Sequence, residues 1–416
     1  MKTILKTTLA ALMIQSTAFG ATEVSLTNVA QRVSKANYMV YETALKVYQA
    51  KANVDKARAD LLPRLNIWTI GSLLIDPLNI IDNVGDIAPF LVPANWFRVS
   101  EVKYLHLAEA EGYRALWGNE VLAAKTLYRN ALLDKKLLAH VSKSIDELSV
   151  IHRTIKTREV LGGATPGGAR DIEIKLLGLQ EDRANLKVLV ASEMDELAYA
   201  LGYPIGTDLT LASVTMPAFD TLKPIDAREY EFRALAVSPE RRQYEHFFSV
   251  LSQIKKEIAY NVFGGSTISR GVAGGIFDNL PTGGGLGLGN GSAMKIVQAQ
   301  KEIMKSQKLG IEETLKRQLR AIATQYNSDL SNYGNYRRRS SLARESRDSL
   351  VRRIQLGDNI NLSDLSENAR SLVQAETALL TMNYRFLANQ DRLNRILFEG
   401  DYNTNPPLIK SLKGLQ

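Results

Sequence analysis

An apolar repeat of seven residues near the N-terminus is the feature that most constrains how this chain folds. Its five members are Val33, Val40, Val47, Val54 and Leu61, and a small side chain follows each of the first four by three positions. This spacing predicts a helix whose apolar stripe packs along another helix, as in a coiled coil. Pro63 lacks the amide proton that a further helical turn needs, so the helix ends just before it.

The rest of the sequence predicts two similar halves. Helices are expected at about 27–62, 98–160, 169–201, 228–262, 292–355 and 362–398. Each half has a medium helix, a non-helical segment, a very long helix, a glycine-marked turn and a second medium helix. The seven-residue spacing recurs at Val237, Tyr244, Leu251 and Ile258, and again at Leu365, Leu372, Leu379, Phe386 and Leu393. These patterns predict a mainly α fold of long antiparallel coiled-coil helices from two tandem structural repeats.

The N-terminal segment is typical of a secretory signal peptide spanning residues 1–20. Lys2 and Lys6 precede a short apolar run, and the small residues near Gly20 suggest cleavage before Ala21. No later segment has the roughly 20 continuous apolar residues of a transmembrane helix, so membrane insertion would have to use strands. The chain has no cysteine, which excludes disulfides and thiolate metal sites.

The net charge of +8 leaves several kinds of partner open. Export argues against nucleic acid as a partner. An anionic membrane surface or an acidic patch on another protein is compatible with the charge. Periodicity alone is also compatible with a purely structural coiled-coil bundle.

Four segments carry a resemblance to a known family. They are KARADLLPRLNI, LAVSPERRQYE, LGLGNGSAMKIVQAQKEI and RRIQLGDNINLSDLSENARSLVQAETALL, the last with REVLGGATPGGARDIEIKLLGL as its counterpart in the first half. In order and spacing they resemble the outer-membrane efflux proteins, the TolC-like exit ducts of tripartite pumps and type I secretion systems. The resemblance covers nearly the whole chain after the signal peptide.

This resemblance implies a homotrimer that works as a passive exit duct. The first repeat would span residues 21–223, the second 224–400, and a C-terminal tail 401–416. The segments at about 63–97 and 261–291 would supply short strands to a shared outer-membrane β-barrel. The implied partners are the outer membrane, a periplasmic adaptor protein and an inner-membrane transporter. No catalysis and no cofactor are implied.

The resemblance also assigns roles to the two turns that follow the long helices, at about 161–168 and 356–361. It implies that Leu161, Gly162, Leu356 and Gly357 dock the adaptor. The same glycines are suited to end a helix, because glycine adopts positive φ without strain. Both interpretations are open at this point.

Charged and aromatic residues near these segments have alternative roles. Four acids can complement helix N-termini or form an acidic constriction at the tip of the duct: Asp171, Glu173, Asp364 and Glu367. Seven arginines before the second turn form either a solvated face or a surface for an acidic adaptor: Arg337, Arg338, Arg339, Arg344, Arg347, Arg352 and Arg353. Trp68 and Trp96 can anchor at a membrane interface or pack within the protein.

Three prolines interrupt the first non-helical segment, namely Pro77, Pro89 and Pro93, and the glycine-rich second segment also makes poor strands. An alternative is therefore a periplasmic coiled-coil scaffold or binding protein that conducts nothing. An enzyme is the least expected class, since the four histidines are scattered singly: His106, His140, His152 and His246.

Overall fold

The structure, a computed structural model, describes residues 22–62, 88–162, 167–204, 206–260, 266, 268, 289–356 and 362–403, with the backbone alone at 354–355 and 362–366. Two strands and eight α-helices follow one another along this part of the chain, with one strand before each set of four helices. In the first half they are β1 (Thr22–Val24), α1 (Leu26–Ala36), α2 (Tyr38–Ala59), α3 (Pro93–Val160) and α4 (Gly168–Ala200). In the second half they are β2 (Leu209–Leu211), α5 (Ala227–Val237), α6 (Pro239–Tyr260), α7 (Gly289–Gln355) and α8 (Leu362–Leu397).

The two halves repeat one another in element order and nearly in length. The helices have 11, 22, 68 and 33 residues in the first half. Those of the second half have 11, 22, 67 and 36 residues. The predicted mainly α fold built from two structural repeats is therefore confirmed. Within the described residues, none of the helices combines the length and apolarity required for a membrane span.

Two of the predicted helices are each divided in two. The helix predicted at 27–62 is interrupted at Asn37, whose backbone is extended and whose Nδ2 donates to the carbonyl of Ala200 at 2.9 Å. The helix predicted at 228–262 is interrupted at Ser238, whose Oγ accepts from the amide of Arg241 at 3.1 Å. Pro239 then starts α6, because proline has no amide to donate back to the preceding turn.

The predicted non-helical segments are shorter than expected. Residues 93–97 were expected in the strand region but belong to α3, where Pro93 occupies the first position and suits helix initiation. Residues 289–291 likewise belong to α7 despite two glycines. The remainder of the strand prediction, residues 63–87 and most of 261–288, lies outside the described residues, as do the signal peptide and the tail from 404.

The described residues form two compact units. The first contains β1, α1, β2, α4, α3 from Glu120, α7 from Ile322, and α8 up to Leu393. One of its apolar clusters joins α3, α4 and α7 through residues such as Ile145, Ile172 and Leu350. Another surrounds Phe219, whose ring stacks on that of Tyr333 with 4.0 Å between centroids.

The second unit contains α2, α5, α6, α3 up to Asn119, α7 up to Ala321, and the residues from Asn394. Its main cluster joins α3, α6 and α7 and includes Leu105, Ile254 and Met304. The five residues of the N-terminal seven-residue repeat are all buried, as predicted. Gly118 leaves room for the buried side chain of Arg395, because a Cβ at this glycine would lie 2.5 Å from Arg395 Nε.

A small parallel sheet in the first unit was not predicted. Thr22 pairs with Leu209, Glu23 with Thr210, and Val24 with Leu211. The hydroxyl of Tyr128 on α3 donates to the carbonyl of Val24 at 3.0 Å and to that of Ala212 at 2.7 Å. Burial raises the pKa of Tyr128 to about 12, so the hydroxyl remains a donor at physiological pH.

Gly202, which follows α4, yields a test of this packing. It has φ +67, and a Cβ there would lie 2.0 Å from the carbonyl oxygen of Ala36. Gly202→Ala should therefore combine left-handed strain with a backbone clash and cost about 3 kcal/mol or more. Gly206→Ala is the matched control, because it has φ +80 but no atom within 4 Å of the new Cβ, and should cost only about 1 kcal/mol.

Thermal unfolding followed by circular dichroism measures the difference. The melting temperature of the Gly202→Ala variant should fall well below that of the Gly206→Ala variant. Equal melting temperatures would contradict the close approach of Gly202 to Ala36.

Candidate docking site at the helix turns

The turn after α3 exposes apolar and glycine residues at the positions predicted from the sequence. The helix ends at Val160, and the amides of Leu161 and Gly162 donate to the carbonyls of Thr157 and Glu159. Leu161 is 77% exposed, and Gly162 has φ +73 with open space around it. Gly162 thus ends the helix in the left-handed conformation that favours glycine, while Leu161 presents an apolar side chain to solvent.

The end of α7 resembles the end of α3. The amide of Leu356 donates to the carbonyl of Arg352 at 3.0 Å, and its side chain is 83% exposed. Gly357 lies outside the described residues. Each long helix therefore ends in a leucine that has no apolar cover within the described chain. Exposed leucines at such turns can contribute apolar contacts to a partner.

The acids predicted near the turns differ in their settings. Asp171 and Glu173 are exposed on the first two turns of α4, where the helix dipole favours negative charge. Glu367 is exposed on α8, and the side chain of Asp364 lies outside the described residues. Glu159, which was not singled out from the sequence, accepts a hydrogen bond from the amide of Ala169 at 2.9 Å and so links the two ends of the first turn. The acidic constriction stays a prediction.

A groove of about 780 Å³ lies close to the turns in sequence and is lined by residues of α3, α4, α7 and α8. Leu148, Ile151, Leu179 and Leu372 supply much of its apolar lining. On one wall, Arg347 donates to Glu147 at 2.7 Å and lies 2.9 Å from Asp348. Arg347 is thus used inside the unit, unlike a freely available surface cation.

A second polar cluster joins three helices of the first unit. His140 Nδ1 of α3 lies 2.9 Å from Glu376 Oε2 of α8, and Arg344 of α7 donates to the other oxygen of the same carboxylate. Because Glu376 is largely buried, the ring and the guanidinium satisfy a carboxylate that would otherwise be costly to bury. His140 and Arg344 therefore have structural partners.

A carboxyl pair between α3 and α4 was missed from the sequence. The carboxyl of Glu193 on α4 interacts with that of Asp134 on α3. Burial, followed by the nearby charge of Asp134, raises the pKa of Glu193 to about 7, and burial also raises the pKa of Asp134. The remaining charge that acts on Glu193 is Glu196, on its own helix and also acidic.

The tryptophans have different positions. Trp96 is exposed on the first turn of α3, and its indole Nε1 donates to the carbonyl of Phe90 at 2.8 Å. This hydrogen bond holds the indole locally, and the side chain remains 53% exposed. Trp68 lies outside the described residues. The role of both as membrane anchors stays a prediction.

Taken together, the described residues offer surfaces for contact. In the described part of the chain, no three histidine or acidic side chains are grouped so as to hold a metal ion. The arrangement provides surfaces for binding, namely exposed leucines at the ends of the two long helices, a groove between helices and arginines along α7.

Comparison with known proteins gives a consistent picture of the fold. No protein family and no curated protein matches the sequence. Among solved structures, the chain is similar to a membrane protein from Pseudomonas aeruginosa, with 16% identity, coverage of 92% of each chain and a TM-score of 0.71.

It is also similar to the outer membrane protein VceC from Vibrio cholerae, with 10% identity, coverage of 90% of this chain and 96% of that one, and a TM-score of 0.69. It is also similar to the open state of the Neisseria gonorrhoeae MtrE outer membrane channel, with 13% identity, coverage of 89% of this chain and 88% of that one, and a TM-score of 0.67. The chain therefore has the fold of these outer-membrane proteins, and the predicted resemblance to TolC-like outer-membrane efflux proteins is confirmed at the level of the fold.

The carboxyl pair yields a prediction on pH. The ordinary pKa of a glutamate is 4.5, whereas that of Glu193 in the folded protein is about 7. Between these two pH values the folded state therefore keeps a proton on Glu193 that the unfolded chain has lost. The stability from this proton is present at low pH and is lost as the pH rises through about 7. The melting temperature should thus fall from pH 5 to pH 8, and it should fall less in the Glu193→Gln variant.

Glu181→Gln, an exposed change on the same helix, is the control and should keep the wild-type slope. An unchanged slope in the Glu193→Gln variant would show that this pair does not share a proton.

Proposed function

We propose that this protein is a passive exit duct of the outer membrane, serving a tripartite efflux pump or a type I secretion system. The observation that carries the proposal is the likeness to outer-membrane channels over about nine-tenths of both chains. Because the identities are only 10–16%, this likeness concerns the fold, and the transport role is inferred from it.

The internal duplication supports the same role. Long helices stabilise one another along their seams and can extend through an aqueous compartment without a large globular core. Binding and passage need no reactive side chains, in keeping with an assignment as a non-enzyme. The driving energy would come from an inner-membrane transporter, linked through a periplasmic adaptor.

A homotrimer is part of the proposal, and an exposed apolar stripe on α4 supports contacts between copies. Ile174, Leu177 and Val188 are all exposed and lie on one face, since their spacing along the helix is close to whole helical turns. Soluble monomers rarely leave such stripes uncovered. In the assembled duct a neighbouring subunit would cover this stripe, and the leucines of the two turns would contact the adaptor.

Alkaline carbonate extraction of cell envelopes tests the location. The protein should stay in the outer-membrane pellet, because an integral protein resists extraction. Complete release would contradict the duct and favour a periplasmic coiled-coil scaffold.

Charge substitution at the turns tests the docking role. The double change Leu161→Glu and Leu356→Glu should abolish export, measured as increased accumulation of a fluorescent pump substrate to the level of a strain lacking the protein. Both side chains are exposed, so the melting temperature should change little.

Phe232→Glu is the matched control, since Phe232 is 84% exposed but lies on α5 in the other unit. It should leave export intact. Normal export by the variant that carries both Leu161→Glu and Leu356→Glu would show that the two turns do not dock the adaptor.

A further inference from the structure

The end of α8 contains a strained residue. Phe398 follows the helix with φ +51, in the left-handed region, and its side chain is only 4% exposed. Positive φ at a bulky residue is an outlier among protein backbones. The amide of Glu399 donates to the carbonyl of Asn394 at 2.9 Å, as in a Schellman motif, which usually places glycine at the left-handed position. The side chain of Phe398 therefore makes contacts that offset the strain of its backbone.

The first repeat has the same turn without the strain. The end of α4 has an equivalent pattern of backbone hydrogen bonds, but Gly202 occupies the left-handed position with φ +67. Phe398 thus corresponds to Gly202, and Arg395, three residues earlier, corresponds to Tyr199. Tyr199 is 59% exposed, whereas Arg395 is 5% exposed. The buried phenylalanine and arginine are therefore specific to the second repeat and do not follow from the duplicated fold.

Two guanidinium groups hold the ring of Phe398. The guanidinium of Arg114 on α3 lies 4.7 Å from the ring centroid, and that of Arg395 lies 4.6 Å from it. These distances are typical of cation–π contacts. Nη2 of Arg395 also donates to the carbonyl of Ala115 at 3.0 Å, and Gly118 leaves room for its side chain. Arg395 therefore links the strained residue to α3.

The sequence Ser-Pro-Glu at the start of α6 supplies the charge that balances Arg395. Nη2 of Arg395 donates to Oε1 of Glu240 at 2.7 Å, and Oγ of Ser238 donates to Oε2 of the same carboxylate at 2.9 Å. A capping serine and an acid in the first turn suit the start of any helix, but capping does not require a contact with α8. In the first repeat the position two residues after Asn37 is occupied by Met39, which is 51% exposed.

The residues after the strained position fold back on α3 and α5. They form a short 3₁₀ turn, Gly400–Asn403. Glu399 makes an ion pair with Arg233 of α5. Tyr402 is 1% exposed, and its ring lies edge-on to that of Trp117 on α3, with 6.4 Å between centroids. These attachments are side-chain contacts, so the segment can detach without the loss of helical hydrogen bonds.

We infer that residues 398–402 form a C-terminal strap that closes over Trp117, with Glu240 holding it closed and Arg395 as the positioning residue between them. All of these residues lie within the second unit. The left-handed backbone of Phe398 favours release of the strap, and the contacts of its ring with the two guanidinium groups oppose release. The strap is therefore a conformational element that opens while the helices stay folded. This role of Glu240 does not depend on the export role proposed above.

The test uses the purified full-length protein in detergent with Trp68→Phe and Trp96→Phe, which leaves Trp117 as the remaining one of the three tryptophans. Acrylamide quenching of fluorescence measures the exposure of its indole, and far-UV circular dichroism measures helix content. Quenching should be weak in this background. Glu240→Gln should at least about double the Stern–Volmer constant at unchanged helix content, because it leaves the buried guanidinium of Arg395 without its balancing charge.

Phe398→Gly distinguishes the strap from a simple helix end. Glycine relieves the left-handed strain but lacks the ring, so this variant should also at least about double the Stern–Volmer constant. If residue 398 served only to end α8, glycine would keep Trp117 as protected as before. Glu229→Gln is the matched control, since Glu229 is an exposed acid in the first turn of α5 in the same unit. It should leave the quenching unchanged.

Three results would overturn the inference. One is unchanged quenching in either Glu240→Gln or Phe398→Gly. Another is an equal rise in Glu229→Gln, which would mean that any loss of charge loosens the unit. The last is a loss of helix content that accompanies the rise in quenching in both strap variants, which would mean that the strap does not open separately from the helices.

Discussion

The apolar seam along each helix is the constraint on which the rest of this structure depends. In proteins most helical stability comes from packing an apolar face, so a helix of 68 residues such as α3 is stabilised by packing against neighbouring helices. In α1 and α2 the seam has a seven-residue period, and Val33, Val40 and Val47 are almost completely buried. Such a seam is satisfied by any partner with the same period. The seam therefore determines that the helices pair, but it does not determine the axial register in which they pair.

Buried charges determine the axial register of the helices, which the apolar seam alone does not. In the second unit Arg98 of α3 contacts Glu101 at 2.8 Å and Glu257 of α6 at 2.6 Å, and all three are buried. In the first unit Arg129 of α3 contacts Asp391 of α8 at 2.6 Å. A slip of either helix by one heptad would keep the apolar seam but separate these charges, leaving them buried and unpaired at a cost of several kcal/mol. The ion pairs thus specify register more than they add stability.

The sequence alone was sufficient to predict those features of the fold that depend on a local residue pattern. The long helices, their turns at Gly162 and Leu356 and the duplicated order all follow from periodicity and glycine placement. The break at Asn37 was missed because it depends on a hydrogen bond to Ala200, which is far away in the chain. The strands β1 and β2 were missed because three residues carry too short an alternation and each strand needs a distant partner. The raised pKa of Glu193 depends on burial and on the nearby Asp134 of another helix, and the residue pattern of a single helix shows neither.

The arginines of α7 show how structure separates cations that the sequence presents as one group. Arg352 and Arg353 lie in the last turn, where the helix dipole favours positive charge, and this accounts for their position. Arg344 and Arg347 neutralise carboxylates of neighbouring helices. The dipole effect falls off within the last turn, whereas Arg338 and Arg339 lie several turns before the end of the helix at Gln355. Within the described residues, neither the dipole nor an ion pair accounts for the charge of these two arginines, and both side chains are exposed to solvent.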